Sequence, residues 1–267
     1  MKPMLCLLAA LALLPLSAPA FSSAESAALH QPAQHLGYLA FAREGQLDAL
    51  RAISRPGGAE RALTEVGIQG LQTFSGTLDG RTVLFARNVT PNGTSVHAAW
   101  QKAMANKRLA PWFAEQARLI EPHPRAAAQG LSWLPLEQVF YFRGADGRAP
   151  GQQARACCAV TGLKPEMEMQ YRTLHQTTWP GVLATIAKAN IANFSIYLVE
   201  IGEQLYLFYY FDYVGDDFAK DMAGVGEDPV TRRWWKHTDA CQLPLPEAAE
   251  KKQIWTDLMP VAPAPTP

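Results

Sequence analysis

The chain has 267 residues, with 24 basic and 24 acidic side chains and no formal net charge. Balanced charge without a Lys/Arg stripe argues against nucleic acid as a partner, because binding phosphate needs a concentrated positive patch. Beyond the N-terminal run no apolar stretch approaches the ~18 residues of a membrane-crossing helix, so no membrane span is expected.

The chain begins MKPMLCLLAALALLPLSAPAFSSAE: one lysine, an apolar run from Leu5 to Leu16, then the small-residue site Ala18-Pro19-Ala20. This is the form of a secretory signal peptide over residues 1–20, which places the mature protein in the periplasm or outside the cell. Cys6 falls inside the apolar run, too early for a lipoprotein cleavage site. Cys157, Cys158 and Cys241 remain after cleavage. Export allows one of the adjacent pair to bridge to Cys241; the other reading is three small buried apolar side chains. A metal site built from them with His237 is not expected. Adjacent cysteines do not easily face one tetrahedral ion, and Cys-x-x-Cys spacing is missing. No metal and no cofactor is implied elsewhere.

The first half, 35–143, opens with HLGYLAFAR (35–43), which has strand character. A helical stretch from Gln46 to Val66 follows, then two strand-like runs, LQTFSGTL (71–78) and RTVLFARNV (81–89), and a helix from about Ser95 to Ile120. The Gly/Pro/Arg-rich stretch 144–155 reads as a linker. In the second half, 156–262, ACCAVTGL (156–163) is a strand and 165–189 has helical spacing, with a break near Trp179 imposed by Pro180. NFSIYLVEI (193–201) and QLYLFYYFDYV (204–214) are β-branched and aromatic, with Gly202-Glu203 between them as a hairpin turn. Asp216 or Asp217 can cap the next helix, which runs to about Trp235 with an interruption near Pro229.

Both halves thus run strand, helix, strand, strand, helix, short terminal segment. Residues 63–85 lie against 186–208 without a gap, with Ile68/Ile191, Leu84/Leu207 and Phe85/Phe208 identical. A β-α-β-β-α unit with one further strand is ferredoxin-like, and such a sheet leaves one face uncovered. The expected fold is therefore α+β: two tandem ferredoxin-like units pairing as a dimeric α/β-barrel-like pseudo-dimer within one monomeric chain.

Chemistry concentrates in EMQYRTLHQTTW (168–179) and PVTRRWWKHTDACQ (229–242). Tyr171 and His175, four apart, share one helix face. A histidine that moves protons, a phenol beside it and flat aromatic surface suit a neutral, hydroxyl-rich ring such as a sugar. Trp234 and Trp235 cannot both point the same way on a helix, so one of them belongs to the core. His237 is a second acid/base candidate, but a surface position suits it better; Asp216 and Asp217 are explained by helix capping.

Tyr171-Arg-Thr-Leu-His175, Trp179-Pro180, Asn193-Phe-Ser-Ile-Tyr-Leu198, Tyr213-Val-Gly-Asp-Asp-Phe218 and Pro229-Val-Thr-Arg-Arg-Trp-Trp-Lys236, in this order, resemble the L-rhamnose mutarotase family over about residues 157–261. The resemblance implies a sugar-anomer epimerase in which His175 donates a proton and Tyr171, Trp234 and Trp235 contact the sugar. A sugar-contacting tyrosine of the family falls at Phe194, which lacks the hydroxyl. Tyr197, three residues on, points to the opposite face of a strand and does not replace it. The terminal segment from Leu258 to Ala264 carries prolines where the family has a strand, which restricts it to an edge or a coil. Opposite Tyr171 and His175 the first half has Asp48 and Ala52, so it reads as a degenerate structural copy.

Mutarotation needs a proton delivered to the ring oxygen and one removed from the anomeric hydroxyl, which an imidazole of ordinary pKa ~6.5 handles near neutrality. Two other readings stand beside it. One is a non-catalytic sugar-binding or structural protein that keeps the fold. The other is a different dimeric α/β-barrel enzyme, such as a cofactor-free monooxygenase.

Overall fold

Alternation of apolar and polar side chains turns into two antiparallel sheets. A computed structural model describes residues 33–54, 57–91, 94–144 and 154–262. The expected signal peptide and residues 145–153 of the expected linker lie outside the described residues.

The first half contributes β1 (Gln34–Ala42), α1 (Leu47–Ile53), α2 (Gly58–Glu65), β2 (Gln69–Leu78), β3 (Arg81–Thr90), α3 (Val96–Ala105) and α4 (Ala110–Leu119). Then come β4 (Ile120–Pro122), the short helix α5 (Pro124–Ala127), β5 (Leu134–Pro135) and β6 (Glu137–Phe142). The single helix expected over 46–66 is two helices, because the sequence Pro56-Gly57-Gly58 interrupts it. The single helix expected over 95–120 is also two: Ser95 caps the first through the Ala98 N–H at 3.3 Å, and Asn106 ends it in extended backbone.

The second half contributes β7 (Arg155–Leu163), α6 (Glu168–Gln176), α7 (Pro180–Lys188), β8 (Ile191–Ile201), β9 (Gln204–Tyr213), α8 (Phe218–Glu227) and α9 (Pro229–Cys241). Beyond these lie β10 (Gln242–Leu243), α10 (Pro246–Glu250), β11 (Thr256–Asp257) and β12 (Met259–Pro260). The break at Trp179 is present, with Pro180 opening α7, where its missing N–H costs nothing. Asp217 caps α8 and Asp228 caps α9, each by accepting a backbone N–H.

One sheet has the order β12-β2-β3-β1-β4, with β5 also on β1; the other has β10-β7-β9-β8-β6, with β11 also on β7. Each sheet therefore takes an edge strand from the other half: β6 pairs with β8, and β12 pairs with β2. The proline-bearing terminal segment is that edge, with Pro260 opposite Phe74. The inner faces of the sheets meet in one core that includes Phe41, Phe74 and Phe85 from the first sheet and Tyr197, Phe208 and Tyr210 from the second. Phe85 and Phe208, identical in the alignment of the halves, stack at 5.5 Å with planes 8° apart.

Beside this apolar core lies a buried polar chain crossing between the halves. Arg87 Nη2 is 3.0 Å from His35 Nδ1 and 3.8 Å from Asp212 Oδ2. The Tyr141 hydroxyl reaches His35 Nε2 at 3.0 Å and donates to Asn193 Oδ1 at 3.3 Å. Asn193 Nδ2 donates to Asp212 at 2.8 Å, and the Tyr210 hydroxyl, with one proton to give, stands within hydrogen-bond reach of both Asp212 and Gln72. Burial, reinforced by Arg87 and Arg143, pulls the His35 pKa down to about 3, so this imidazole is neutral.

Cys157, Cys158 and Cys241 are all free thiols. Cys157 and Cys158, adjacent on β7, belong to packing clusters on opposite faces of its sheet, and Cys241 lies in a third cluster. Among the described residues no helix is long and apolar enough to cross a membrane.

Candidate functional site

The outer face of the second sheet and helices α6 to α9 line a half-open cavity of about 570 Å³. All five residues singled out from the sequence line it: Tyr171, His175, Phe194, Trp234 and Trp235. The local reasons are plain. Tyr171 and His175 are one helical turn apart on α6, with ring centroids 4.1 Å apart. Trp234 is buried beneath α9, whereas Trp235, one residue on, is 38% exposed at the cavity's edge. The expectation that one tryptophan of the pair belongs to the core is met by Trp234, which also keeps a face on the cavity.

Phe194 faces the cavity because β8 carries a bulge between Ala192 and Ser195. Asn193 takes up the bulge with a φ of 52°, a left-handed conformation that asparagine tolerates better than most residues. Its side chain turns into the polar chain between the sheets while Phe194 turns outward. Tyr197 packs in the core between the sheets, on the face opposite Phe194, as the strand parity requires. His237 is exposed, its ring 5.7 Å from that of Trp179.

His175 Nδ1 lies 3.0 Å from the Tyr171 carbonyl oxygen. A carbonyl only accepts, so Nδ1 carries the hydrogen and Nε2 carries the lone pair. The ring is flanked edge-on by Phe140 at 5.5 Å and by Trp234 at 5.8 Å. Burial lowers its pKa to about 4, partly opposed by the bond to the Tyr171 carbonyl. At neutral pH it is thus a neutral imidazole with an available acceptor nitrogen. Burial raises the Tyr171 phenol far above its ordinary value, so this group stays protonated.

Several lining residues were not singled out from the sequence. Tyr209 on β9 packs against Trp255 at 4.8 Å and against Phe194 at 5.9 Å. Its phenol is also pushed up by burial. Alternation along β9 places Tyr209 and Phe211 on one face, a signal present in the sequence. Thr178, Thr231, Asp239 and Asp257 supply polar points on the wall, and burial raises the Asp239 carboxyl. Phe140 comes from the first half, and nothing local to the second half points to it. The positions opposite the site in the first half, Asp48 and Ala52, sit on α1, where Asp48 pairs with Arg51 at 2.7 Å.

Comparison with known proteins finds relatives for the second half of the chain. The sequence model of the family described as L-rhamnose mutarotase matches residues 156–261. An L-rhamnose mutarotase of Brucella anthropi is 27% identical over 99 residues, covering 37% of this chain and 86% of the relative. One from Rhizobium etli is 33% identical over 75 residues, covering 28% of this chain and 66% of the relative. One from Mesorhizobium japonicum is 31% identical over 76 residues, covering 27% of this chain and 65% of the relative. Among solved structures, a candidate monooxygenase from Fusobacterium nucleatum superposes with a TM-score of 0.51 at 11% identity, covering 86% of this chain and 93% of the other. That likeness extends across both halves and concerns the fold alone.

Proposed function

We propose that the half of the chain matching the L-rhamnose mutarotases, residues 156–261, is itself a sugar mutarotase interconverting the α and β anomers of L-rhamnose or a related deoxysugar. Mutarotases are isomerases, and the substrate class is a monosaccharide. The observation that carries the proposal is His175: a neutral imidazole on the wall of an aromatic cavity, with Nδ1–H engaged and Nε2 available.

In the mechanism this supports, Nε2 accepts the proton of the anomeric hydroxyl while the ring oxygen gains a proton from a water in the cavity. The bond between C1 and the ring oxygen breaks, giving the open-chain aldehyde. After rotation about C1–C2 the hydroxyl closes on the other face of the carbonyl, and both protons return. The sequence resemblance casts His175 as a proton donor; its depressed pKa makes it an acceptor first and a donor only once it has been charged by the substrate. Trp234 and Trp235 offer apolar surface to the C–H face of the sugar and to a deoxysugar's methyl group.

The chain is a pseudo-dimer, two ferredoxin-like units fused and acting as a monomer. Supporting this are the same strand order in both sheets, the reciprocal exchange of edge strands and the stacking of Phe85 on Phe208. The protein is also proposed to be exported, on the composition of residues 1–20.

Exchange NMR on L-rhamnose tests the function. Wild type is expected to speed anomer exchange above buffer, and His175→Asn to lose roughly 10²–10⁴-fold of that acceleration. Wild type at the buffer rate over a panel of deoxysugars would leave a non-catalytic sugar-binding protein.

A further inference from the structure

We infer that the first half is a working part of this site: its last strand, β6, positions the proton-handling histidine of the second half, with Phe140 closing off the imidazole and Glu137 fixing the helix that carries it. The inference rests on the reading of His175 as the proton carrier.

β6 belongs by sequence to the first half and by hydrogen bonding to the second sheet, where Phe140 lies opposite Ile196 and Glu137 opposite Leu198. Phe140 is buried, and its ring stands edge-on to His175 at 5.5 Å and edge-on to Phe194 at 5.5 Å. Tyr171 stacks against the imidazole and Trp234 meets it from α9, so Phe140 supplies a third wall from another strand. Without it, water would reach the ring from the sheet side.

Glu137 acts on the same helix by a different route. Both of its carboxylate oxygens accept from Arg172, Oε1 from Nη1 and Oε2 from Nη2 at 2.8 Å. Arg172 Nε donates to Glu168 at 2.8 Å, so the guanidinium ties α6 to β6 and to its own first turn. Arg172 lies between Tyr171 and His175, so this clamp holds the turn that presents them. A bidentate fork fixes orientation as well as distance. On the same strand Tyr141 turns inward to His35 and Asn193, which anchors β6 from its other face.

Several titratable groups share the cavity with His175: Tyr171 on its own helix, Tyr209 on β9, Asp239 on α9 and Asp257 on β11. β6 brings no charge to that wall. Its contribution through Phe140 is exclusion of water, and its loss should let the imidazole titrate closer to its ordinary value.

The test is an NMR titration of the His175 ring without sugar, alongside kcat and KM for anomer exchange, in wild type, Phe140→Ala, Phe140→Leu and Glu137→Gln. Phe140→Ala is expected to raise the His175 pKa by about one unit, and Phe140→Leu by less, since it restores part of the wall. kcat should fall about tenfold in Phe140→Ala and about threefold in Glu137→Gln, with KM little changed, because orientation of the base is lost and sugar contacts are kept. Unchanged His175 pKa and kcat in Phe140→Ala and Glu137→Gln would overturn the inference. If Phe140→Ala fails to fold, Phe140→Leu and Glu137→Gln carry the same test with the same criterion. If wild type catalyses no exchange of any sugar, the mutarotase proposal falls, whereas the His175 titration still decides whether β6 encloses the ring.

Discussion

Lowering the pH from 7.5 to 5 should destabilise this protein through its buried histidines. His175 and His35 are held at about 4 and about 3 in the folded chain, against an ordinary 6.5. Over that interval the unfolded chain binds protons that the folded chain refuses, so stability falls as pH falls. By about pH 7.5 both imidazoles are almost wholly neutral in either state, and the cost nearly vanishes. At pH 5 each histidine contributes a loss of ~2 kcal/mol, ~4 kcal/mol together, against a typical domain stability of ~5–15 kcal/mol. His123, also lowered by burial, acts in the same direction. Glu137, Asp221 and Asp228 are shifted downward by hydrogen bonds, so their contributions are lost only at lower pH, whereas Asp239, raised by burial, acts in the opposite sense to the histidines and trims the effect. Urea unfolding followed by tryptophan fluorescence at pH 7.5, 6.5, 5.5 and 5.0 measures this, and His35→Gln should remove about half of the slope. Anomer exchange by the protein that stays folded should remain flat from pH 8 to 5, because the His175 base form persists. A constant unfolding free energy across the window, or an activity midpoint near pH 6.5, would show that these imidazoles are open to water.

Further substitutions at two places probe the core between the halves. Arg87→Met strands the buried Asp212 carboxylate without its cation and should cost ~3–5 kcal/mol in urea unfolding; the double variant Arg87→Met/Asp212→Leu should cost less than Arg87→Met alone. A double variant whose loss equals the sum of those of Arg87→Met and Asp212→Leu alone would show that the two charges are not coupled. A Cβ at Gly37 would lie 2.8 Å from Tyr197 Cδ1, and that ring is fully buried between the sheets. Gly37→Ala is therefore expected to cost ~1–3 kcal/mol, read as a lowered Tm; an unchanged Tm would mean that the ring has room to move.

The candidate site was legible in the sequence wherever its geometry is local. Four-residue spacing on one helix brings Tyr171 and His175 together, Pro180 ends that helix where the break was expected, and Asp217 caps as its position suggests. Strand parity separates Phe194 from Tyr197, and a period of two would have found Tyr209. The two long helices expected in the first half are each broken. Pro56-Gly57-Gly58 marks the first break in the sequence, whereas the second, at Asn106, carries no comparably strong marker.

What the sequence by itself determined is this set of short-range features, because a helical turn, a proline and a strand's alternation act over a few residues. The tertiary structure alone decided which half owns which wall. β6 crosses to pair with β8, bringing Phe140 to His175 and Glu137 to Arg172, residues 35 apart in the chain. It also decided that His175 is neutral, since that depends on how completely Phe140, Tyr171 and Trp234 exclude water. Both outcomes arise from contacts between distant segments, whose free energy comes from the apolar surface they bury together, and no spacing within either segment records it.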